Sequence, residues 1–285
     1  MSDVIKRNFK IGEEWLYLKL YMRSFFADKI LIKINDFISD KINENKIEKW
    51  FFIRYNDPDF HIRLRLFVPD QNEAFRIIGE INNLLSTEIN EKIVMITLGH
   101  YSREIERYDL YCMEKIEDLF FYDTITVLSV LKNITTGELS ETDRWLYGMI
   151  AMDKTLTDFQ LGDEEKKIFV LNMNHLFSNE FEKDKFLTKQ LDKKFRENEM
   201  LISDNLNKSN VFSKLINQRS EKSKSNITEI IALHQEKKLT QNINIIISSY
   251  IHMNCNRLFR IKPREQEYIL YDFLTRFYTK KIYRR

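Results

Sequence analysis

The sequence predicts an α+β protein, with a strand-rich N-terminal part built around a hairpin and covered by a helical C-terminal part. Three observations carry this expectation. The stretches at 14–22, 49–56 and 60–67 alternate apolar and polar residues or are aromatic and aliphatic, as strands are. Asp57-Pro58-Asp59 between the last two is turn chemistry, because Pro58 fixes φ and aspartates favour turn positions. From residue 113 onward the texture becomes helical, and a sheet with an apolar face needs such a cover. One domain over 1–285 is expected, with a strand-rich lobe to about 112 and a helical lobe from about 113.

The elements follow in order. A strand at 14–22 leads into residues 24–43, whose apolar positions recur at helical spacing. The hairpin at 49–67 precedes a helix around 71–86 and a strand at 92–99. Segments 114–133, 143–161, 164–177 and 183–202 read as helices, with acidic residues near their starts and Lys or Asn near their ends. The run from Ser203 to Asn226 carries few large apolar residues and reads as a mobile connection or an exposed helix end. A last helical pair, 240–259 and 264–278, is broken at Pro263.

Bulk properties narrow the function. The chain has 285 residues, with 45 basic against 43 acidic ones and a net charge of +2, which argues against a general nucleic-acid or membrane-surface binder. Any anion site must therefore be local. Cys112 and Cys255 have no paired spacing, so neither a disulfide framework nor a zinc ribbon is indicated and a reducing cytoplasm fits best. No signal-peptide core and no run of about 18 apolar residues is present. His100, His175 and His234 lack partners at metal-ligand spacing; no bound metal or cofactor is expected. The sequence also lacks a phosphate-cradling glycine loop and a Gly-x-Ser-x-Gly elbow, which weakens nucleotide hydrolase and serine esterase readings.

The strand at 60–67 raises a sharper question. Side chains two apart share a face, so His61, Arg63, Arg65 and Phe67 stand together while Ile62, Leu64, Leu66 and Val68 supply burial on the other side. Two adjacent guanidiniums repel unless an anion stands between or before them, which suggests a carboxylate or phosphate site. A second arginine pair, Arg103 and Arg107, points one way whether its segment is helical or extended. Glu104 and Glu106 could equally tie it into a surface lattice. On a late helix His252 and Asn256 share a face, with Arg257 about 140° round from His252. A histidine on such a helix is either a satisfied core residue or a catalyst.

Taken in order, WFFIRYNDPDFHIRLRLF, YSREIERY, DLFFYDT and SYIHMNCNRLF resemble the C-terminal domain of class I lantibiotic dehydratases, a domain that also occurs alone as the thiopeptide-type bacteriocin biosynthesis protein. The likeness runs from about Trp15 to Phe273. It implies a stand-alone subunit that expels glutamate from glutamylated Ser or Thr of a ribosomally made precursor peptide, leaving dehydroalanine or dehydrobutyrine. A separate glutamyl-tRNA-dependent protein would attach the glutamate, with no direct nucleic-acid contact here; the oligomeric state is left open. By motif, the resemblance assigns Arg65, Arg103 and His252 to catalysis, Arg63 to holding glutamate, and Arg107, Asn256 and Arg257 to substrate binding, all in a single cationic pocket. Two other readings stand beside it: a thiopeptide pyridine synthase that joins two dehydroalanines and releases the leader, and a non-catalytic scaffold for the precursor. One departure is visible. The family usually continues ERY with two glycines, where this chain has Asp109 and Leu110.

Overall fold

Alternation of apolar side chains decides the sheet. In the computed structural model, which describes residues 5–89 and 91–283, β1 (Asn8–Phe9) is followed by β2 (Trp15–Met22), β3 (Lys49–Asn56), β4 (Phe60–Phe67), β5 (Ile93–Gly99) and β6 (Tyr101–Ser102). The four longer strands form an antiparallel sheet in the order β3-β4-β2-β5, and β1 pairs with β6. The expected hairpin is present: β3 and β4 pair from Asn56↔Phe60 outward across the Asp57-Pro58-Asp59 loop, whose Asp57–Pro58 peptide is cis. One face of the sheet carries Leu16, Leu18, Leu20, Trp50, Phe52, Ile62, Leu64 and Leu66, all buried.

Helices α1 (Ala27–Asn43) and α2 (Gln71–Leu84) each bury an aliphatic stripe, Ile30, Leu31, Ile34 and Ile38 in the first, Ala74, Ile77 and Ile81 in the second. Asp28 of α1 pairs with Arg54 of β3 at 2.7 Å inside the core. Asp70 caps α2 by accepting from the Asn72 amide at 3.0 Å. After the four-residue α3 (Ile105–Tyr108) comes α4 (Met113–Thr136), which stops at Gly137, where φ is +84° and a side chain would be strained.

The chain divides into two units, the first comprising residues to 139 with 239–241, the second 140–238 with the chain from 242 onward. The sequence places the lobe boundary near 112/113; contacts place it after α4. The reason is packing: Phe120 of α4 lies 5.2 Å from the Phe51 ring and Asp118 pairs with Lys49, which joins this helix to β3.

The second unit is helical: α5 (Glu141–Asp158), α6 (Asp163–Glu180), α7 (Lys185–Asn207), α8 (Ser213–Gln235), α9 (Ile243–Leu258) and α10 (Pro263–Tyr283). Helix α10 packs on α5, α6, α7 and α9 and buries an aromatic row including Tyr268, Tyr271, Phe273 and Phe277. Gly148 on α5 lets Leu258 and Leu270 approach to where a Cβ would meet them at 2.9 and 3.1 Å. Of the two readings of the run from Ser203 to Asn226, the helix end holds for its first residues, which close α7, while the greater part is the body of α8, a helix that neither reading named. The inner face of α8 uses Ile216, Arg219, Ser223 and Ile227, so small and charged residues occupy positions where burial is normally read from aliphatics. Arg219 is 2 % exposed because it donates to the Ala151 carbonyl and to Thr155, both at 3.1 Å. Among the described residues no helix is long and apolar enough to cross a membrane.

Candidate functional site

Strand β4 is interior to the sheet, so each residue of its second face is flanked on both sides. Arg65 stands between Tyr17 and Phe51, Arg63 between Lys19 and Ile53, and His61 between Tyr21 and Tyr55. Cross-strand neighbours this close interact directly. The Arg65 guanidinium carbon is 5.0, 5.3 and 5.0 Å from the ring centroids of Tyr17, Phe51 and Tyr101, and that of Arg63 is 3.3 Å from Tyr55. Aromatic faces thus partly offset the repulsion between the two cations.

They do not replace an anion. Arg65 is only 7 % exposed, yet its Nε and Nη1 are buried without a hydrogen-bond partner. Among the described residues, Lys19, Arg63 and Arg65 have no carboxylate within ion-pair distance. A buried, unsatisfied N–H on a charged group costs about 1–3 kcal/mol or more, a penalty that falls on Arg65, with the uncancelled charges of Arg63 and Lys19 on the same face. Burial raises the Tyr17 hydroxyl above its ordinary pKa despite the opposing pull of Arg65 and Arg63, so it stays a neutral donor.

The second arginine pair is parted. Arg103 is 5 % exposed and donates from Nε and Nη2 to both oxygens of Glu117 at 2.8 and 2.7 Å, and from Nη1 to Glu114 at 3.1 Å and the Lys6 carbonyl at 3.0 Å. Its carboxylate partners are therefore on α4, whereas the sequence offers Glu104 and Glu106. Glu104 instead meets Arg107, at 3.3 Å and largely in solvent, and Glu106 meets Arg7. Burial raises the Glu117 carboxyl while Arg103 and the Tyr101 hydroxyl, 2.7 Å away, oppose it; burial lowers the Arg103 guanidinium, but Glu117, helped by Glu114, outweighs it and holds it above its usual value. Beyond α3, Asp109 keeps a glycine-like φ of +72° in the place where the resembled family has glycine. Its carboxylate accepts from the Tyr111 amide at 3.0 Å, from the Thr240 amide and hydroxyl at 2.7 Å each, and from the Gln241 amide at 3.0 Å. Burial raises this carboxyl, but those donors outweigh it and hold it below the ordinary value.

In the second unit, α9 carries His252, Asn256 and Arg257, as expected. His252 keeps 27 % of its side chain exposed, and its Nδ1 lies 2.6 Å from Oε2 of the fully buried Glu267 on α10. A carboxylate there makes Nδ1 the donor, so Nε2 is the ring nitrogen not engaged by Glu267. Glu267 is steadied by Arg264 at 3.4 Å, which also grips Glu180 through Nε and Nη2 at 3.0 and 2.6 Å and lies 3.9 Å over the Phe177 ring. Asn256 is 9 % exposed and Arg257 fully buried, and both are engaged by neighbours. The arginine set thus belongs to the first unit and the histidine set to the second.

A family model described as the lantibiotic biosynthesis dehydratase C-terminal region matches residues 15–278. The chain belongs to this family. It is 28 % identical over 264 residues to the subtilin biosynthesis protein SpaB of Bacillus subtilis, covering 90 % of this chain and 24 % of SpaB. Across the curated relatives it matches, this dehydratase-family chain spans 24–26 % of their length. Its fold is shared with the tRNA-dependent lantibiotic dehydratase MibB from Microbispora sp. 107891, with a TM-score of 0.71 at 18 % identity over 97 % of this chain and 29 % of that one. It is shared also with the pyridine synthase TbtD from thiomuracin biosynthesis, with a TM-score of 0.66 at 11 % identity over 95 % of this chain and 99 % of that one.

Sequence reasoning missed Lys19, Tyr17 and Phe51 around the arginines, Tyr101 beside Arg65, Glu117 behind Arg103 and Glu267 behind His252. Phe51 is readable from the hairpin once a register is assumed, because it lies directly across from Arg65; Lys19 and Tyr17 lie across from Arg63 and Arg65 on β2, whose pairing with β4 no short turn fixes. The glutamates leave no local signal: Glu117 is 14 residues from Arg103, and Glu267 is 15 from His252 and on another helix.

Proposed function

We propose that this chain eliminates glutamate from glutamylated Ser or Thr residues of a ribosomally made precursor peptide, as a cytoplasmic subunit working with a separate glutamyl-tRNA-dependent glutamylating protein. In the reaction a base takes the Cα proton, its electron pair becomes the Cα–Cβ double bond, the Cβ–O bond breaks, and glutamate departs as a carboxylate. Negative charge develops on the peptide carbonyl and on the leaving group. The observation that carries this reading is the Lys19–Arg63–Arg65 face, cationic, aromatic-walled and without a carboxylate partner.

Arg65, with buried donors unspent, is assigned to the developing charge, where a prepared donor is worth about 10²–10³ in rate. Arg63 holds the glutamate, since guanidinium matches carboxylate with two parallel hydrogen bonds. His252 moves the proton through Nε2, because Nδ1 is committed to Glu267. Arg103 differs from its sequence-based assignment: its donors are spent on Glu117, Glu114 and the Lys6 carbonyl, so we assign it to positioning, through Glu117 and Tyr101, rather than to contact with substrate. Arg107, Asn256 and Arg257 retain a substrate-binding assignment from their places in the motif alone.

One observation favours a second reading, a pyridine synthase: this chain and TbtD overlay along nearly the full length of both. The higher identity to SpaB and the charged set weigh toward elimination. Incubating the purified chain with a glutamylated precursor peptide and following its mass decides. Loss of glutamic acid supports elimination. Ring formation and leader release from a dehydrated peptide, with the glutamylated one untouched, supports the synthase. Inertness toward both with retained leader binding leaves a scaffold.

A further inference from the structure

We propose that, in the elimination reaction put forward above, His61 is a positioning residue: a neutral imidazole that aims Arg63 at the glutamate carboxylate and releases it in acid. His61 has no exposed surface; its ring lies 4.6 Å from that of Tyr21 and 5.4 Å from that of Tyr55. Nδ1 is 2.8 Å from the Asp59 carbonyl oxygen, which only accepts, so Nδ1 carries the proton. Nε2 is 3.1 Å from Arg63 Nε, which only donates, so Nε2 is bare. Both bonds exist together only in the neutral Nδ1–H tautomer.

The consequence falls on Arg63. Its Nε is tied to His61 and its plane lies against Tyr55, at 3.3 Å from the ring centroid. The two Nη groups are left as a fork with a fixed direction, and no carboxylate among the described residues occupies it. Arginine left free on a surface pays rotamer entropy to grip a carboxylate; one held in advance does not.

Protonation undoes this. An imidazolium turns an N–H toward the Arg63 N–H and sets two positive charges side by side. The groups around the ring are Tyr21 and Lys19 from β2, Tyr55 from β3, Asp57 from the loop and Arg63 on its own strand. Burial first, and then Arg63 and Lys19, disfavour the charged form and outweigh the Asp59 carbonyl and Asp57, which favour it, holding the imidazole below its ordinary pKa. The neutral form therefore prevails at neutral pH, and Arg63 is released only as pH falls below the usual histidine range.

The test uses the full chain and a glutamylated peptide, with KM and kcat measured against pH. His61→Phe keeps an aromatic ring and removes the acceptor; KM is expected to rise about tenfold, the loss of one charge-assisted hydrogen bond, with kcat changed by less than about threefold. In His61→Gln an amide oxygen can accept from Arg63 Nε without titrating, so KM returns toward wild type and its rise in acid disappears. A His61→Phe KM within about twofold of wild type, in a protein whose thermal unfolding is intact, overturns the proposal, as does a persistent acid rise in His61→Gln. If the wild-type chain leaves glutamylated peptide intact, the elimination reading falls separately, and ¹H–¹⁵N spectra decide the positioning role. An Nδ1–H tautomer at His61 with a slowly exchanging Arg63 Nε–H that is lost in His61→Phe supports it; an Nε2–H tautomer or a fast-exchanging Arg63 overturns it.

Discussion

Arg65 and Arg103 are alike in burial, at 7 % and 5 % exposed, and Tyr101 touches both environments: its ring lies 5.0 Å from the Arg65 guanidinium while its hydroxyl donates to Glu117, the partner of Arg103. Their partners separate them. Arg103 is met by a carboxylate on two sides of its fork; Arg65 is met by ring faces and keeps two buried donors idle. A buried arginine whose charge is cancelled holds structure together. One whose charge is left standing stores an unfavourable solvation cost that only an arriving anion relieves. Burial and residue type alone would have classed them together.

The largest effect that bears on this contrast is predicted for Arg103→Met. It leaves Glu117, with no exposed surface, as a charge without a counterion, and should cost about 3–5 kcal/mol in urea unfolding. Adding Glu117→Leu should restore much of that loss, since the penalty comes from the stranded carboxylate. If Arg103→Met unfolds at the wild-type denaturant midpoint, the pair is not structural and the contrast fails.

Arg65→Met should do the reverse. Removing unsatisfied donors from among Tyr17, Phe51 and Tyr101 leaves stability unchanged or raised, while turnover of glutamylated peptide falls about 10²–10³-fold. Lost stability with intact turnover would mean that the two arginines had been assigned the wrong way round. A smaller effect is expected for Glu267→Gln in the second unit. The amide oxygen still accepts from His252 Nδ1, but the negative charge that stabilises an imidazolium is gone, so single-turnover elimination should slow about tenfold without loss of peptide binding. Equal rates in variant and wild type would remove the His252–Glu267 pair from the proton transfer.

The contrast also explains what could be read in advance. The face shared by His61, Arg63 and Arg65 was legible because strand geometry has a fixed period of two, and a hairpin fixes its neighbours. The late helix was legible for the same kind of reason. What decides each residue's role is its partner on another element, and no local periodicity encodes that Glu117 will reach Arg103 or that Glu267 will reach His252. The α8 helix was obscured differently: Arg219 and Ser223 line its buried side, and a hydropathy pattern has no way to count an arginine that satisfies the Ala151 carbonyl as core. Texture divides the chain near 112 and contacts divide it after α4, because α4 is helical in pattern yet is joined to β3 by its Phe120 and Asp118 contacts.

Asp109 is a third case, a buried charge satisfied by hydrogen bonds, with no ion-pair partner among the described residues. At 1 % exposure its carboxylate is met by three backbone amides and one hydroxyl, and its backbone adopts a φ of +72° that glycine takes freely and aspartate resists. Asp109→Gly therefore has opposing effects. Relief of the backbone gains about 1 kcal/mol, and loss of a charged acceptor costs about 1.5–3 kcal/mol, so a net loss of about 1 kcal/mol is expected at pH 7. The carboxyl is held below its ordinary value in the folded protein, so its stabilisation is present above the unfolded value and is lost as pH falls through the folded one. The gap between wild type and Asp109→Gly should accordingly shrink in strong acid and then change sign, because only the backbone relief remains. A gap that stays constant from pH 7 down to the acid transition, measured by thermal unfolding, would show that hydrogen bonding to the ionised carboxylate is not what keeps aspartate in this position.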